Sequence, residues 1–300
     1  MRAFLLAALL ATTVGCSVRR FAVNKLGDAL AGSGATFASD EDPELVGEAL
    51  PFALKLIESL LAESPRHRGL LLAAASGFTQ YAYAFVQQPA DELEDQDLTQ
   101  ATRLHTRARK LYLRARDYGL RGLEVRRPGF EKALRADAKA AVRAASKPDV
   151  PLLYWTAAAW GAAITLSKDD PETVADQPIV EALVDRALAL DEPFDHGAIH
   201  AFLVSYEPSR PGGSASDAAA RARKHFERAV ELSAGKLASP LVALAETVSV
   251  SQQNKKEFEA LLKRALEIDV SARPEWRLAN LVTQRRARWL LGRIEQLFVE

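Results

Sequence analysis

His196 and His200 stand four residues apart, with Asp195 beside the first. On a helix that spacing places both imidazoles on one face, as two metal ligands require. The rest of such a site is missing. No Glu follows the first His, as a zinc hydrolase motif demands, and no third ligand is obvious. A surface or lining histidine pair is the better reading, with no metal and no cofactor. The carboxylate pairs Asp40/Asp42 and Asp169/Asp170 fall where helices begin, so capping accounts for them. There is no phosphate loop and no Gly-x-Ser-x-Gly elbow. No catalytic constellation emerges, and the chain reads as a non-enzyme. A lipid-anchored hydrolase, the reading from another class, would have to rely on His200 and Glu207.

The remaining reactive group is Cys16, the only thiol in the chain. Met1-Arg2 supplies a small positive start. Ala3 to Val14 is an apolar run too short to span a bilayer, and Gly15 precedes the cysteine. Thr13-Val14-Gly15-Cys16 resembles the lipobox of bacterial lipoproteins, departing from it where Thr13 replaces Leu. That resemblance implies cleavage before Cys16 and acylation of its thiol, which removes thiol catalysis. An ordinary cleaved signal peptide is the alternative. A triacylated cysteine anchors stably where a single myristoyl chain would not.

Composition bounds the body. Lys plus Arg and Asp plus Glu each number 39, so no global positive field exists to hold nucleic acid. With no cysteine after Cys16, the fold has no disulfide. The longest apolar stretches, Leu70 to Phe78 and Ala157 to Leu166, are about half of what a membrane span needs. Only the N-terminus is therefore expected to touch lipid.

The elements behind these residues read as helical throughout, with no strand alternation. Residues 1–15 form a signal peptide. Residues 16–41 form a lipidated tether with one short helix, Asn24 to Leu30. Residues 42–300 form a repeat domain opened by Asp42 as N-cap, Pro43 in the first turn and Glu44 at the positive helix end. A spacing of apolar-x3-large-x2-Ala recurs at Ala108/Tyr112/Ala115, Val180/Val184/Ala187, Ala222/Phe226/Ala229 and Phe258/Leu262/Ala265. A weaker copy is Ala53/Ile57/Leu60. This is the second-helix signature of a tetratricopeptide repeat, in which the small residue lets two helices approach. Gly77, Gly161, Ala201 and Ala245 are candidates for the small residue of the first helices. The units are degenerate. An added helix is expected over residues 127–146, and loops over 87–98, 167–178 and 207–216. The fold class is all-α: tetratricopeptide-like hairpins in a compact right-handed superhelical array. A C-terminal capping helix closes it, with Arg273, Arg277, Arg285, Arg286, Arg288 and Arg293 on a solvated outer face.

Aromatic residues gather in the first helices. The repeat register turns Phe78, Tyr81, Trp155, Phe202 and Tyr206 toward the concave side, with His200 as a polar accent. These six are the candidate ligand-lining residues of an apolar channel. Ordinary inter-helix packing is the competing account, and Tyr83 and Trp160 read as core in either case.

Several stretches are similar to one known family. They include Asp42-Pro43-Glu44-Leu45, Gly77-Phe78-Thr79-Gln80-Tyr81-Ala82-Tyr83-Ala84-Phe85, Arg107-Ala108-Arg109-Lys110-Leu111-Tyr112, Leu153-Tyr154-Trp155 and Arg285-Arg286-Ala287-Arg288-Trp289. The family is the T-component of tripartite ATP-independent periplasmic (TRAP) transporters, TatT-like lipoproteins, and the resemblance spans essentially the whole mature chain. It implies a lipid-anchored homotrimer facing the periplasm, each protomer carrying a pore or cleft. It also implies a periplasmic TRAP-type solute-binding protein as partner and a small hydrophobic or organic-acid ligand. Ser17 after the cysteine favours the outer membrane over the inner. A helical-repeat adaptor for cell-envelope assembly is the alternative within the same class.

Overall fold

The computed structural model of the chain describes residues 24–30, 32, 34–167 and 169–298. The signal peptide and Cys16 lie outside the described residues. Among those residues every regular element is helical. The major helices are α1 (Pro43–Glu63), α2 (Arg68–Ala82), α3 (Leu98–Glu124), α4 (Phe130–Ala136), α5 (Val150–Thr165) and α6 (Gln177–Leu190). They continue as α7 (Ala198–Tyr206), α8 (Ala215–Leu232), α9 (Ser239–Leu244), α10 (Lys255–Leu266) and α11 (Arg277–Leu291).

Local signals explain where these helices start. Asp42 Oδ1 accepts from the backbone N–H of Glu44 and of Leu45, each at 3.0 Å, with Pro43 in the first turn. His67 Nδ1 accepts from Leu70 N at 3.2 Å, and Asp97 Oδ1 accepts from Gln100 N at 2.9 Å. Ser214 and Asp217 form a capping box at α8. Each device satisfies amide groups that a helix leaves unpaired at its first turn.

The hairpins then pack in sequence. Helix α2 lies on α3, α5 on α6, α7 on α8 and α9 on α10. The expected second-helix residues are mostly buried, with Ala108, Ala115, Val180, Ala187, Ala222, Ala229, Phe258 and Ala265 all inside; Phe226 and Ala53 of the weaker copy are half-buried. Close approach is strictest between α3 and α5. A Cβ on Gly119 would lie 2.1 Å from Thr156 Oγ1, so glycine is required there. Three apolar clusters succeed one another along the chain. The first joins α1, α2 and α3 with one side of α5, the second runs from the end of α3 to α7, and the third runs from the end of α7 to α11 and beyond it to Phe298.

Four features differ from the sequence expectation. Residues 127–146 are not one helix. Asp137 leaves helical geometry at φ −154° and ψ 96°, ends α4, and caps the next short piece, Ala138–Ala141. The insertion is fastened by Asp149, a fully buried carboxylate that accepts from Arg68 at 3.0 Å and Arg127 at 2.6 Å. The acidic stretch after Gln87 is not a loop, because α2 runs on through a π turn, Tyr83–Gln87, and a helical segment, Gln88–Leu93. The whole rod, Arg68–Leu93, is thus long and apolar enough by length and composition to cross a membrane. Its apolar residues Leu70, Leu71, Phe78, Ala82 and Val86 are packed in the protein core instead.

The arginine face of α11 is the fourth. It is solvated only in part: Arg285 and Arg288 are exposed, but Arg286 is buried. Helix α11 packs against α1 and against the segment Gly34–Ala38, so the last element meets the first and the array closes on itself. Arg277 Nη1 donates to Ser39 O at 3.1 Å. Arg285 pairs with Glu92 at 2.7 Å, Arg286 with Asp91 at 2.9 Å and Arg293 with Asp95 at 2.9 Å. The acidic stretch and the arginine helix, two separate surface features in the sequence, neutralise one another across the closure.

Candidate functional site: the inner face of the first helices

Helices α2, α5, α7 and α9 are the first helices of their hairpins. Few of their residues are exposed: Gln80 on α2, Thr165 on α5 and Ser205 on α7, with Tyr83 in the π turn that follows α2. Tyr83 is 43% exposed. Desolvation nonetheless pushes its hydroxyl pKa up, with the carboxylate of Glu246 adding to the rise and Arg286 opposing it. A tyrosine on open surface keeps its water and its ordinary titration. The groups that act on that hydroxyl come from the other end of the chain, Glu246 beyond α9 and Arg286 on α11. Tyr83, expected in the core, is partly exposed beside them.

Two π turns meet at that point. One holds Tyr83 (Tyr83–Gln87) and the other holds Glu246 (Ala245–Ser249). Each inserts a residue into a helix and rotates the turns beyond it, a device frequent at functional sites. Arg286 lies between them. It is 8% exposed, donates through Nη2 to Glu246 in a short contact, pairs with Asp91 and stacks over the Trp289 ring at 4.2 Å. Asp91 also receives His105 Nε2 at 2.8 Å.

A second group surrounds Tyr154 at the start of α5. Burial pushes the Tyr154 hydroxyl well up, and the nearby charge of Asp195 adds to it. Its ring contacts Trp155 edge-on at 5.0 Å, Phe194 at 5.5 Å and Phe202 at 6.4 Å. Phe202 stacks on Tyr206 at 5.3 Å. Three of the lining candidates, Trp155, Phe202 and Tyr206, are therefore brought together, all half-buried.

The other three lie elsewhere. Phe78 is inside the α2–α3 interface, stacked on Tyr118 at 5.9 Å with the Arg114 guanidinium 5.4 Å from its ring. Tyr81 packs on Phe85 at 5.8 Å and accepts from Arg107 Nη2 at 3.2 Å. Both point at α3, because the bulky face of α2 fills the hairpin. His200 is buried, with Nδ1 at 2.8 Å from Nδ1 of His225 and Nε2 at 3.3 Å from Glu192. Desolvation lowers its pKa against the pull of Glu192. Two hydrogen bonds from Arg228 hold Glu192 down at about 2.

His196 does not share a face with His200. Asp195, His196 and Gly197 have φ of 44°, 53° and 94°, a left-handed turn that separates the two imidazoles before α7 begins. His196 packs edge-on to Trp276 at 4.9 Å instead. Gly197 is needed in that turn for its positive φ and because its backbone touches Ala229 and Leu232 of α8. Among the described residues no three His, Cys, Asp or Glu converge as metal ligands. Glu207 is 1% exposed and engaged by Arg221 at 2.5 Å and Arg210 at 3.3 Å. Asp42 and Asp170 cap helices.

Sequence reasoning missed Tyr83, Glu246 and Arg286. Helical periodicity carries no mark of a π turn, and Arg286 reads as one more basic residue in an arginine-rich helix.

A family profile described as TRAP transporter T-component matches residues 39–298 of this chain. The chain is also 30% identical to an uncharacterized protein from Treponema pallidum (strain Nichols), over 95% of this chain and 94% of that relative.

Proposed function

Because the chain belongs to the TRAP transporter T-component family, we propose that it is the lipid-anchored member of such a transport system, and that the inner face of its first helices encloses a bore that holds or passes a small guest. The mature protein is anchored through Cys16 and faces the periplasm, from the outer membrane rather than the inner. It docks a periplasmic solute-binding protein and works as a homotrimer of tetratricopeptide-like protomers. The guest is hydrophobic or an organic acid. Trp155, Phe202, Tyr206 and Tyr154 offer it apolar contact at low rotamer entropy, and Tyr83 offers a hydroxyl at the far end of the first helices.

The observation that carries this reading is Tyr83. A residue of the first hairpin is open to space yet feels Glu246 and Arg286 from the last hairpin and the final helix. An array whose ends meet around an accessible interior is suited to enclosing a molecule, whereas an adaptor groove for peptides needs an open side. Native mass spectrometry of the protein released from its source membrane tests the reading. The expected spectrum shows a trimer carrying a solute-binding protein and an extra small mass. A bare monomer, with neither protein partner nor small molecule, would overturn it.

A further inference from the structure

Among the described residues the second apolar cluster shares α3 and α5 with the first and α7 with the third, but the first and the last have no helix in common. What joins α11 to the α2 extension is ionic: Arg285 to Glu92, Arg286 to Asp91 and Arg293 to Asp95. Arg285 and Asp95 are half exposed. Exposed pairs of this kind contribute little to stability, far less than burial of a large apolar side chain. Local opening favours the least stable contact surface, and a seam made of ion pairs, two of them with a half-exposed partner, is such a surface.

The buried charges are arranged to survive its opening. Arg286 sits between two acids, of which Glu246 belongs to its own side of the seam. Asp91 sits between Arg286 and His105, of which His105 belongs to its own side. Parting the seam therefore leaves Arg286 with Glu246 and Asp91 with His105. Neither buried group is stranded without a partner, the outcome that makes breaking an ordinary buried ion pair expensive. The π turns sit one on each side, where a helix already departs from its ladder. Tyr83 stands immediately inside.

We propose that this seam is a side gate: α11 and the segment Gln88–Leu93 part to admit a guest into the bore, then re-form their ion pairs behind it. The proposal rests on the reading that the bore holds a guest.

The test uses the full chain with Cys16→Ser, so that introduced thiols are the only ones. Glu92→Cys and Arg285→Cys are either bridged by a short bismaleimide or capped singly with N-ethylmaleimide, and uptake of Nile red is tracked by stopped-flow fluorescence. Bridging is expected to slow uptake by about ten-fold or more while leaving the final amount bound unchanged. Raising NaCl from about 0.05 to about 0.5 M should speed uptake in the capped form and not in the bridged one. Arg285→Glu with Arg293→Glu should also speed it, and adding Glu92→Arg with Asp95→Arg should restore the slower rate, which shows that the variants are folded. Equal rates in bridged and capped protein would overturn the gate and leave the bore intact. Absence of dye binding in both would remove the bore reading itself, and the gate with it.

Discussion

His200 and His225 approach each other Nδ1 to Nδ1 at 2.8 Å, across the contact between α7 and α8. One ring must donate and the other accept, so the two cannot both be charged in the folded state. Desolvation lowers both pKa values, and for His225 the neighbouring His200 adds to the drop. Glu192 and Arg228 face His200, while Glu207, Arg210 and Asp185 face His225. None of these reverses the direction.

Stability should therefore fall as pH drops through the ordinary histidine range near 6.5. With folded-state pKa values depressed, the unfolded chain takes up protons first, so the contribution is complete above that pH and is lost below it. His225→Gln, which keeps a hydrogen-bonding side chain without the titration, should flatten the decline. The carboxylates held low, such as Asp149 and Glu192, act only below their own ordinary range, so the two windows separate. Thermal melts of both proteins from pH 8 to pH 5 read this directly.

Replacing Ala229 by Trp should overpack α8 where Gly197 already touches its backbone, with a loss of about 1–3 kcal/mol. The same change at exposed Lys255 should leave the urea midpoint nearly unmoved. Matching midpoints would mean that the second-helix register is wrong.

Gly119→Ala tests close approach against propensity. Alanine favours a helix by about 0.8–1.0 kcal/mol over glycine. The added methyl would meet Thr156 Oγ1, a buried hydroxyl bonded to Leu152 O at 2.5 Å. Overpacking of about 1–3 kcal/mol wins, so the variant should be less stable than the parent. Thr156→Ala in the same chain should recover much of the loss in a chemical melt.

Phe78 and Tyr83 lie five residues apart on one rod and should behave oppositely. Phe78→Ala should lose about 3–5 kcal/mol, as a core aromatic does. Tyr83→Ala should shift stability by only about 0.5 kcal/mol and weaken retention of an apolar guest. A large stability loss at Tyr83 would show that its ring is packed.

Acylation is tested separately. Cys16→Ser should move the protein from the membrane pellet to the soluble fraction. Retention through a carbonate wash would place the anchor elsewhere.

Helix content, the opening cap of the repeat domain and the second-helix residues were legible in the sequence, because Asp42-Pro43 and the spaced alanines act over one or two turns. The closure was not. Asp91, Glu92 and Asp95 read as a polar loop and the α11 arginines as a solvated face. Their pairing spans nearly the whole chain, and no local pattern encodes a contact at such separation. The grouping of the candidate residues was legible in part for a related reason. Register put Trp155, Phe202 and Tyr206 on one side, and they lie together around Tyr154, but it put the large residues of α2 there too, whereas burial of apolar area sends Phe78 and Tyr81 into the hairpin.

The helical segment at residues 24–30 is moored beside the α1–α2 turn. Ser64 Oγ donates to Asn24 Oδ1 at 2.8 Å, and His67 lies 3.3 Å from both Asn24 O and Asp28. Only eight peptide units separate Asn24 from Cys16, a leash of roughly 28 Å at full stretch. With Cys16 acylated, that mooring fixes the posture of the whole molecule. The α1–α2 turn becomes the edge that hangs nearest the lipid, and the reach of the protein into the aqueous space is set by the width of its own body.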